Sequence, residues 1–231
     1  MYWQKLLDYI ETRTTDFFVI GLTGSVAVGK STLSARLSES LQERHFDVEV
    51  VSTDDFLLTN LELKQHQLFD EKGFPKTYHL NKLAQMIQDF RDDAPQVTIP
   101  DYSHELADIR PDVQKVIQKP DILIIEGVTA LQLPDHILDL AIYVDAKLAD
   151  IESWYLNRTL AVMDKARFDA KSWYYPYTQM PLSQRQEHIM SVWRRTNLKN
   201  LQQYIAPTKA KANVIIKIDA QHHIQHIEYD D

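Results

Sequence analysis

The sequence predicts an α/β fold with a mainly parallel sheet and helices on both of its faces. Short apolar runs alternate with helical patterns along the chain, and two runs, DILIIE (121–126) and LAIYVD (140–145), are almost continuously apolar. A strand that is buried on both faces of a parallel sheet has this composition. Strands that alternate with helices imply right-handed crossovers, which place helices on both sides of the sheet.

The elements of this fold are predicted from hydrophobic periodicity, and residues 57–120 form the least regular third of the chain. We predict strands at 17–23, 47–52, 121–126, 140–145 and 213–219, and the tail after the last strand is long enough for an edge strand. We predict helices at 1–13, which is amphipathic, at 31–44 and at 81–90, and a helical segment at 146–204. We expect a single domain over residues 1–231, with its N-terminal helix within 1–16 and a helical lid and substrate-binding segment at 146–204.

The composition excludes several classes of protein. The chain has 25 Lys and Arg against 33 Asp and Glu, a formal charge of −8, 44% hydrophobic residues and no cysteine. A folded protein is expected, and disulfides, cysteine zinc sites and a thiol nucleophile are excluded. The net negative charge disfavours broad nucleic-acid binding. Because no apolar run reaches the roughly 20 residues that span a bilayer and no secretory signal is visible, we expect no membrane partner and a cytoplasmic location.

The most informative motif is GSVAVGKS (24–31), between the first predicted strand and the following helix. It satisfies G-x-x-x-x-G-K-[ST], the phosphate-binding loop or P-loop, in which backbone amides and a helix N-terminus point at a phosphate chain. We expect Lys30 to reach the β and γ phosphates and the Ser31 hydroxyl to ligate Mg²⁺. The expected phosphate-binding residues are Gly24, Ser25, Val26, Ala27, Val28, Gly29, Lys30, Ser31 and Thr32. The motif therefore predicts a three-layer P-loop NTPase fold.

Acidic side chains follow two further strands at the edge of the sheet where ligands bind. Glu126 ends an apolar strand, so we expect it to hold Mg²⁺ through water; a solvated strand-end carboxylate is the alternative. Asp54 and Asp55 follow the second strand. We prefer Asp54 as the base, because we expect that strand beside the first, but position alone leaves Asp55 almost equal and a capping role open for both.

Positive charge for the transferred phosphate is available in the helical segment 146–204. Its candidate side chains are Arg158, Lys165, Arg167, Arg194 and Arg195. Only Arg158, in WYLNR, has the context of a lid over phosphates. Two GTPase-like strings, DEKG (70–73) and NKLA (81–84), do not support that class, because the first follows no strand and the second lacks its aspartate. A metal site at His222, His223 and His226 is disfavoured at an exposed edge.

Together these residues give the chain a resemblance to the prokaryotic type I pantothenate kinases, relatives of uridine kinase and phosphoribulokinase. The segments that resemble this family are GSVAVGKST, VVSTDDFL, KGFPKTYHL, IPDYSHE, PDILIIEGV, AIYVDA, SWYLNR and NLKNLQQYIAPTKAKAN. KGFP, YSH and WYLNR in this order are more specific than the P-loop alone. The resemblance implies ATP and Mg²⁺ as cofactors and transfer of the γ phosphate to the primary alcohol of pantothenate, the first step toward coenzyme A.

The resemblance also implies roles for single residues. Asp54 matches the aspartate of the family's TTDGF and is implied as the base, whereas Asp55 stands where the family usually has glycine. Arg158 matches the lid arginine near the γ phosphate. The residues implied to line the pantothenate pocket are Tyr102, His104, Tyr155 and Asn197. A homodimer is implied as well, and coenzyme A is a candidate feedback ligand.

Departures from the family pattern leave the substrate open. Ala107 replaces a usual tyrosine, and Thr159 and Val162 replace aromatic residues, so the pocket wall is expected to differ. Arg36 lies one position after the basic residue that the family uses to bind coenzyme A, so feedback is expected to be lost or different. Two alternatives stay open: a kinase for another small alcohol, such as a nucleoside or sugar, and a nucleotide- or coenzyme A-sensing protein with little turnover.

Overall fold

The chain folds into an α/β structure, and the computed structural model describes residues 2–230. The helices are α1 Tyr2–Glu11, α2 Lys30–Gln42, α3 Asn60–Gln65, α4 Leu80–Arg91, α5 Leu148–Lys165, α6 Leu182–Val192 and α7 Leu198–Asn200. The strands are β1 Phe18–Gly24, β2 Val48–Ser52, β3 Gln96–Ser103, β4 Asp108–Gln118, β5 Ile122–Glu126, β6 Leu140–Asp145, β7 Val214–Ile218 and β8 Ile224–Tyr229. Met1, which opens the predicted helix at 1–13, lies outside the described residues.

A six-stranded sheet in the order β2-β5-β1-β6-β7-β8 organises the fold. All of its neighbouring pairs are parallel except β7 and β8, where the C-terminal tail adds an antiparallel edge strand. This arrangement confirms the predicted α/β class. Among residues 2–230, none of the helices combines the length and the apolar character that a membrane span requires.

Two hydrophobic clusters cover the two faces of the sheet. Successive residues of β5 alternate between them: Leu123 and Ile125 pack in the cluster that includes the apolar side of α4, and Ile122 and Ile124 pack in the cluster that includes α1 and α2. Because side chains alternate along a strand, one apolar run serves both clusters. The helices therefore form a layer on each side of the sheet, as predicted.

The position of β2 corrects one prediction. We expected β2 beside β1, but β5 lies between them and pairs with both. Since β2 carries Glu49 and is only partly buried, it suits an edge, whereas all five residues of β5 are buried. Glu126, at the end of β5, pairs in register with Leu22 of β1 and Ser52 of β2. It therefore stands between the P-loop strand and the strand that leads to the two aspartates.

A β-hairpin lies in the region that we predicted as irregular. Strands β3 and β4 pair antiparallel in a sheet of their own, with a shift of register between Pro100 and Tyr102. Pro100 and Pro111 interrupt the two strands, and most of β4 is exposed, so the sequence shows neither an apolar run nor a clean alternation. The hairpin carries Tyr102 and, in the turn after β3, His104.

Candidate active site

The loop between β1 and α2 has the backbone that the P-loop motif requires. Gly29 precedes α2 with a φ of 91°, in the left-handed region that favours glycine. A Cβ on Gly24 would lie 2.6 Å from the carbonyl oxygen of Val144, so a side chain is excluded there. These two positions hold the loop around the first turn of α2, where backbone amides are available to an anion.

Lys30 is buried inside this loop. Its Nζ donates hydrogen bonds to the carbonyl oxygens of Gly24, at 3.2 Å, and Ser25, at 2.9 Å. Burial lowers the pKa of Lys30, and the carboxylates of Glu126 and Asp54 oppose this effect. The buried Ser25 Oγ has no hydrogen-bond partner among residues 2–230. A buried ammonium held by neutral carbonyls and an unpaired hydroxyl fit a phosphate group.

Glu126 and Ser31 form the part of the site that fits a divalent cation. The Ser31 hydroxyl donates to Glu126 Oε1 at 3.1 Å. Burial raises the pKa of Glu126, the nearby Asp54 adds to this rise and Lys30 opposes it. A hydroxyl and a carboxylate are the hard oxygen donors that Mg²⁺ prefers. The donor chemistry of these two residues therefore fits this ion.

Asp54 and Asp55 have different surroundings. Asp54 lies on the wall of a cavity, and its Oδ1 accepts a hydrogen bond from the Tyr78 hydroxyl at 3.1 Å. Asp55 is only 2% exposed and contacts Lys115 and the backbone of Tyr102. It does not line the cavity. These contacts favour Asp54 as the aspartate that faces a ligand.

A cavity of about 590 Å³ brings most of the predicted residues together. The predicted residues on its wall are Val26, Ala27, Lys30, Ser31, Asp54, Tyr102, His104, Glu126, Tyr155, Arg158 and Asn197. Five loop residues, Gly24, Ser25, Val28, Gly29 and Thr32, are not part of this wall. Ala107, Thr159 and Val162, where the chain departs from the resembled family, line the same cavity. The departures therefore change the site itself.

Two residues of the site were missed from the sequence. Tyr78 is buried beside Asp54, and its pKa is raised well above the ordinary value by burial and by that carboxylate, so the phenol stays protonated and donates. Lys72 lies on the cavity wall, donates to Asn60 Oδ1 at 2.7 Å, and has a pKa that burial lowers. Both belong to KGFPKTYHL (72–80), a segment that resembles the family. No motif within this segment indicates the role of a single residue.

Other basic, aromatic and histidine side chains lie partly on the cavity wall and partly away from it. Arg195 lies on the cavity wall, whereas Arg167 pairs with Asp164 at 3.2 Å. Trp173, Tyr174 and Tyr177 also reach the wall. The His222 ring stacks on Trp154, with centroids 3.8 Å apart. Within residues 2–230, no group of three or more His, Cys, Asp and Glu side chains is placed to hold a metal.

We expect Glu126→Gln to raise the melting temperature of the ligand-free protein at pH 7. Because the folded-state pKa of Glu126 lies above its unfolded value, the folded chain binds this proton more tightly than the unfolded chain does. The ionised carboxylate therefore destabilises the fold above the unfolded pKa, and this penalty disappears as the pH falls below it. The gain in melting temperature should be larger at pH 7 than at pH 4.5, as calorimetry can measure.

The matched control is Glu39→Gln, which changes an exposed glutamate of α2. No pH-dependent gain is expected for this variant. An equal gain for Glu126→Gln at both pH values would contradict the burial of an ionised carboxylate at the end of β5.

The sequence of the chain is similar to those of several known proteins. Residues 19–161 match the model of the Phosphoribulokinase / Uridine kinase family. The protein named "Pantothenate kinase" from Limosilactobacillus fermentum is 39% identical over 220 residues, which are 91% of this chain and 71% of the relative. The protein of the same name from Streptococcus pneumoniae is 41% identical over 220 residues, with the same coverage of both chains.

A solved structure shows the same fold at lower sequence identity. The proposed fructose transport system kinase of Silicibacter sp. TM1040 superimposes with a TM-score of 0.71 at 20% identity, over 91% of this chain and 95% of that one. The family match and the identity to the two bacterial relatives confirm the resemblance found from the motifs. The chain belongs to the Phosphoribulokinase / Uridine kinase family, and within it is similar to bacterial proteins named pantothenate kinase.

Proposed function

We propose that the protein transfers the γ phosphate of ATP to the primary alcohol of pantothenate, the first step of coenzyme A biosynthesis. The observation that carries this proposal is the cavity in which the P-loop lysine, Asp54 and Arg158 face the same space. The identity of about 40% to relatives named pantothenate kinase supports pantothenate as the acceptor. A site for binding alone needs no carboxylate opposite the phosphate loop, so the arrangement favours transfer over sensing.

ATP would occupy the P-loop with its triphosphate. Lys30 and the amides of the loop would hold the β and γ phosphates, and Arg158, on α5, would neutralise charge near the γ phosphate. Ser31 would ligate Mg²⁺ directly and Glu126 through water, and the bound ion would offset the negative charge of the β and γ phosphates. Closure of the helical segment 146–204 over these groups is part of the proposal.

Asp54 would orient the acceptor alcohol for in-line attack. Its Oδ1 is held by Tyr78, and no residue among 2–230 donates a hydrogen bond to Oδ2, which leaves this oxygen available to the alcohol. The alcohol oxygen bonds to the γ phosphorus as the bond to the bridging oxygen of ADP breaks. The proton of the alcohol passes to Asp54 late in the reaction, because a hydroxyl is far less acidic than a carboxyl group.

Four polar residues would recognise the rest of the acceptor. Tyr102, His104, Tyr155 and Asn197 offer hydroxyl, imidazole and amide groups to the amide and carboxylate of pantothenate. Burial raises the pKa of Tyr155 to about 12, so its phenol keeps the proton and can donate a hydrogen bond. Ala107, Thr159 and Val162 leave more room on the same wall than the aromatic residues of the resembled family, so acceptors larger than pantothenate belong in the test.

The experiment is a measurement of ADP release by the purified protein with Mg·ATP. Pantothenate is offered first, and then a panel of nucleosides, sugars and other small alcohols. Turnover that depends on pantothenate supports the proposal. Turnover with another alcohol only would identify a kinase of a different metabolite, and tight nucleotide binding without turnover would identify a sensing protein.

Three further expectations complete the proposal. Coenzyme A is a candidate feedback ligand because it shares adenosine and phosphate groups with ATP. The Arg36 guanidinium lies over the Trp3 ring at 4.1 Å. Inhibition by coenzyme A, measured at several ATP concentrations, would show whether Arg36 is available to this ligand. A homodimer is expected, which sedimentation velocity would test. We place the activity in the cytoplasm, where ATP is the common phosphate donor.

A further inference from the structure

A network of two buried carboxylates and two partly exposed cations lies behind the cavity wall, outside the groups assigned above. Lys115 Nζ contacts Asp55 Oδ1 and Asp101 Oδ1, each at 2.8 Å, and Arg110 donates to Asp101 Oδ2 at 2.9 Å. Asp55 and Asp101 are 2% and 7% exposed. Neither aspartate lines the cavity. The network therefore acts on the site only through other residues.

Asp55 connects two segments of the chain: the turn after β2, which also contains Asp54, and the β3–β4 hairpin. Its Oδ1 accepts a hydrogen bond from the backbone N–H of Tyr102 at 2.9 Å. Tyr102 follows the point where the register of the hairpin shifts. At such an irregularity the strand ladder is locally disrupted, and a backbone donor needs another acceptor. The carboxylate of Asp55 supplies this acceptor one residue after Asp54.

The far end of the hairpin has a separate attachment. Lys72 donates to the carbonyl oxygen of Ala107, and Asp108 Oδ1 accepts from the backbone N–H of Asn60 at 2.9 Å. The hairpin is thus held at both ends of the stretch that carries Tyr102 and His104. Of the two attachments, only the one through Asp55 contacts the backbone of a residue on the cavity wall and the turn of Asp54 at once.

The energetics of burial argue that this contact does more than stabilise the fold. Taking carboxylates out of water is costly, and an ion pair to a lysine that is 40% exposed adds only modest stability. A fixed hydrogen bond to one backbone N–H supplies something that apolar packing does not, which is a defined distance between two chain segments. Here these segments are the one that carries the base and the one that carries Tyr102.

We propose that Asp55 is a positioning residue for the acceptor: through the backbone N–H of Tyr102 it sets the place of the Tyr102 side chain relative to Asp54. Asp55 touches neither ATP nor the acceptor. The proposal rests on the proposed function as an alcohol kinase, but not on pantothenate as the alcohol. Small displacements of a binding group can reduce turnover by large factors, so the effect should appear in acceptor kinetics.

The first test compares Asp55→Ala with Asp55→Asn, which keeps an oxygen for the Tyr102 N–H. For the acceptor found in the ADP-release assay, we expect Asp55→Ala to raise KM by about 10-fold, with KM for ATP changed less than about 2-fold. Asp55→Asn should restore most of the acceptor KM. Asp101→Asn is the matched control: it weakens the other ion pair of Lys115, and the Asp101 carboxylate accepts no hydrogen bond from the Tyr102 N–H, so the acceptor KM should stay near that of the parent.

A second readout does not depend on turnover. In the ligand-free protein, the protection factor of the Tyr102 amide against hydrogen exchange should fall about 10-fold in Asp55→Ala and stay unchanged in Asp101→Asn and in Asp55→Asn. Equal KM increases for ATP and the acceptor, equal effects of Asp55→Ala and Asp101→Asn, or unchanged exchange at Tyr102 would each overturn the proposal. If Asp55→Ala does not fold, Asp55→Ser takes its place in both measurements: its short side chain keeps a polar group but removes the carboxylate that accepts from the Tyr102 N–H, and the same outcomes support or overturn the proposal. Absence of turnover by the parent with every alcohol would instead contradict the proposed function.

Discussion

Replacing Asp54 by asparagine is expected to lower kcat for acceptor phosphorylation by at least about 100-fold while Mg·ATP still binds. Asparagine keeps the size of the side chain and the contact of Oδ1 with Tyr78, but it cannot take the proton of the alcohol. The variant therefore loses both the group that orients the alcohol and the group that accepts its proton. Steady-state kinetics of ADP release and calorimetric titration with ATP measure the two parts separately.

Two companion variants make the Asp54 result specific. Tyr78→Phe removes the hydrogen bond to Asp54 but leaves the carboxylate, so a smaller loss of about 10-fold in kcat is expected. Asp112→Asn changes an exposed aspartate of β4 and should leave kcat unchanged. An Asp54→Asn enzyme with the kcat of the parent would remove Asp54 from the reaction.

Replacing Lys30 by methionine is expected to weaken ATP binding by at least about 100-fold and to reduce kcat/KM for ATP by about 1,000-fold. Methionine has a similar length and no charge, so the loop loses its ammonium without a large change in packing. The ligand-free protein should still fold, because burial disfavours the charge of Lys30, and removing this charge offsets part of the loss of its two hydrogen bonds. Calorimetric titration with Mg·ATP, together with a thermal melt of the ligand-free variant, measures both effects.

Lys147→Met is the matched control for the lysine, since Lys147 is exposed at the start of α5. Its affinity for ATP should equal that of the parent. If Lys30→Met kept full affinity for ATP, the loop at 24–31 would not be the site of the triphosphate.

The features that could be predicted from the sequence are those that local patterns determine. The P-loop depends on residues that are neighbours in the chain, and the apolar runs of β5 and β6 reflect burial on both faces. Strand order depends instead on which strands pack together after folding, so β2 was placed one position too close to β1. Glu49 was the available signal, because a charged residue in the middle of a strand favours an edge.

The distinction between the two adjacent aspartates could not be made from position. Both follow β2. Only the folded chain shows that Lys115, 60 residues later, forms an ion pair with Asp55, whereas Asp54 lies on the cavity wall. The contact of Tyr78 with Asp54 could not be predicted from sequence position either. It forms because the backbone of Tyr78 pairs with that of Leu57 in an isolated β-bridge, which brings the phenol to Asp54. Contacts between residues distant in sequence decide such roles, and one sequence does not record them.

The placement of β5 has a consequence for how such a protein can diverge. Because β5 pairs with β1 on one side and with β2 on the other, two sets of hydrogen bonds determine the position of Glu126 along the sheet. A shift of β5 by one residue would disrupt both sets and turn the carboxylate to the opposite face of the sheet. The spacing between the phosphate loop and Asp54 is therefore anchored in the backbone of the sheet. Acceptor preference can change through substitutions in the hairpin and at Thr159 and Val162 of α5, while the phosphate loop and Glu126 keep their positions.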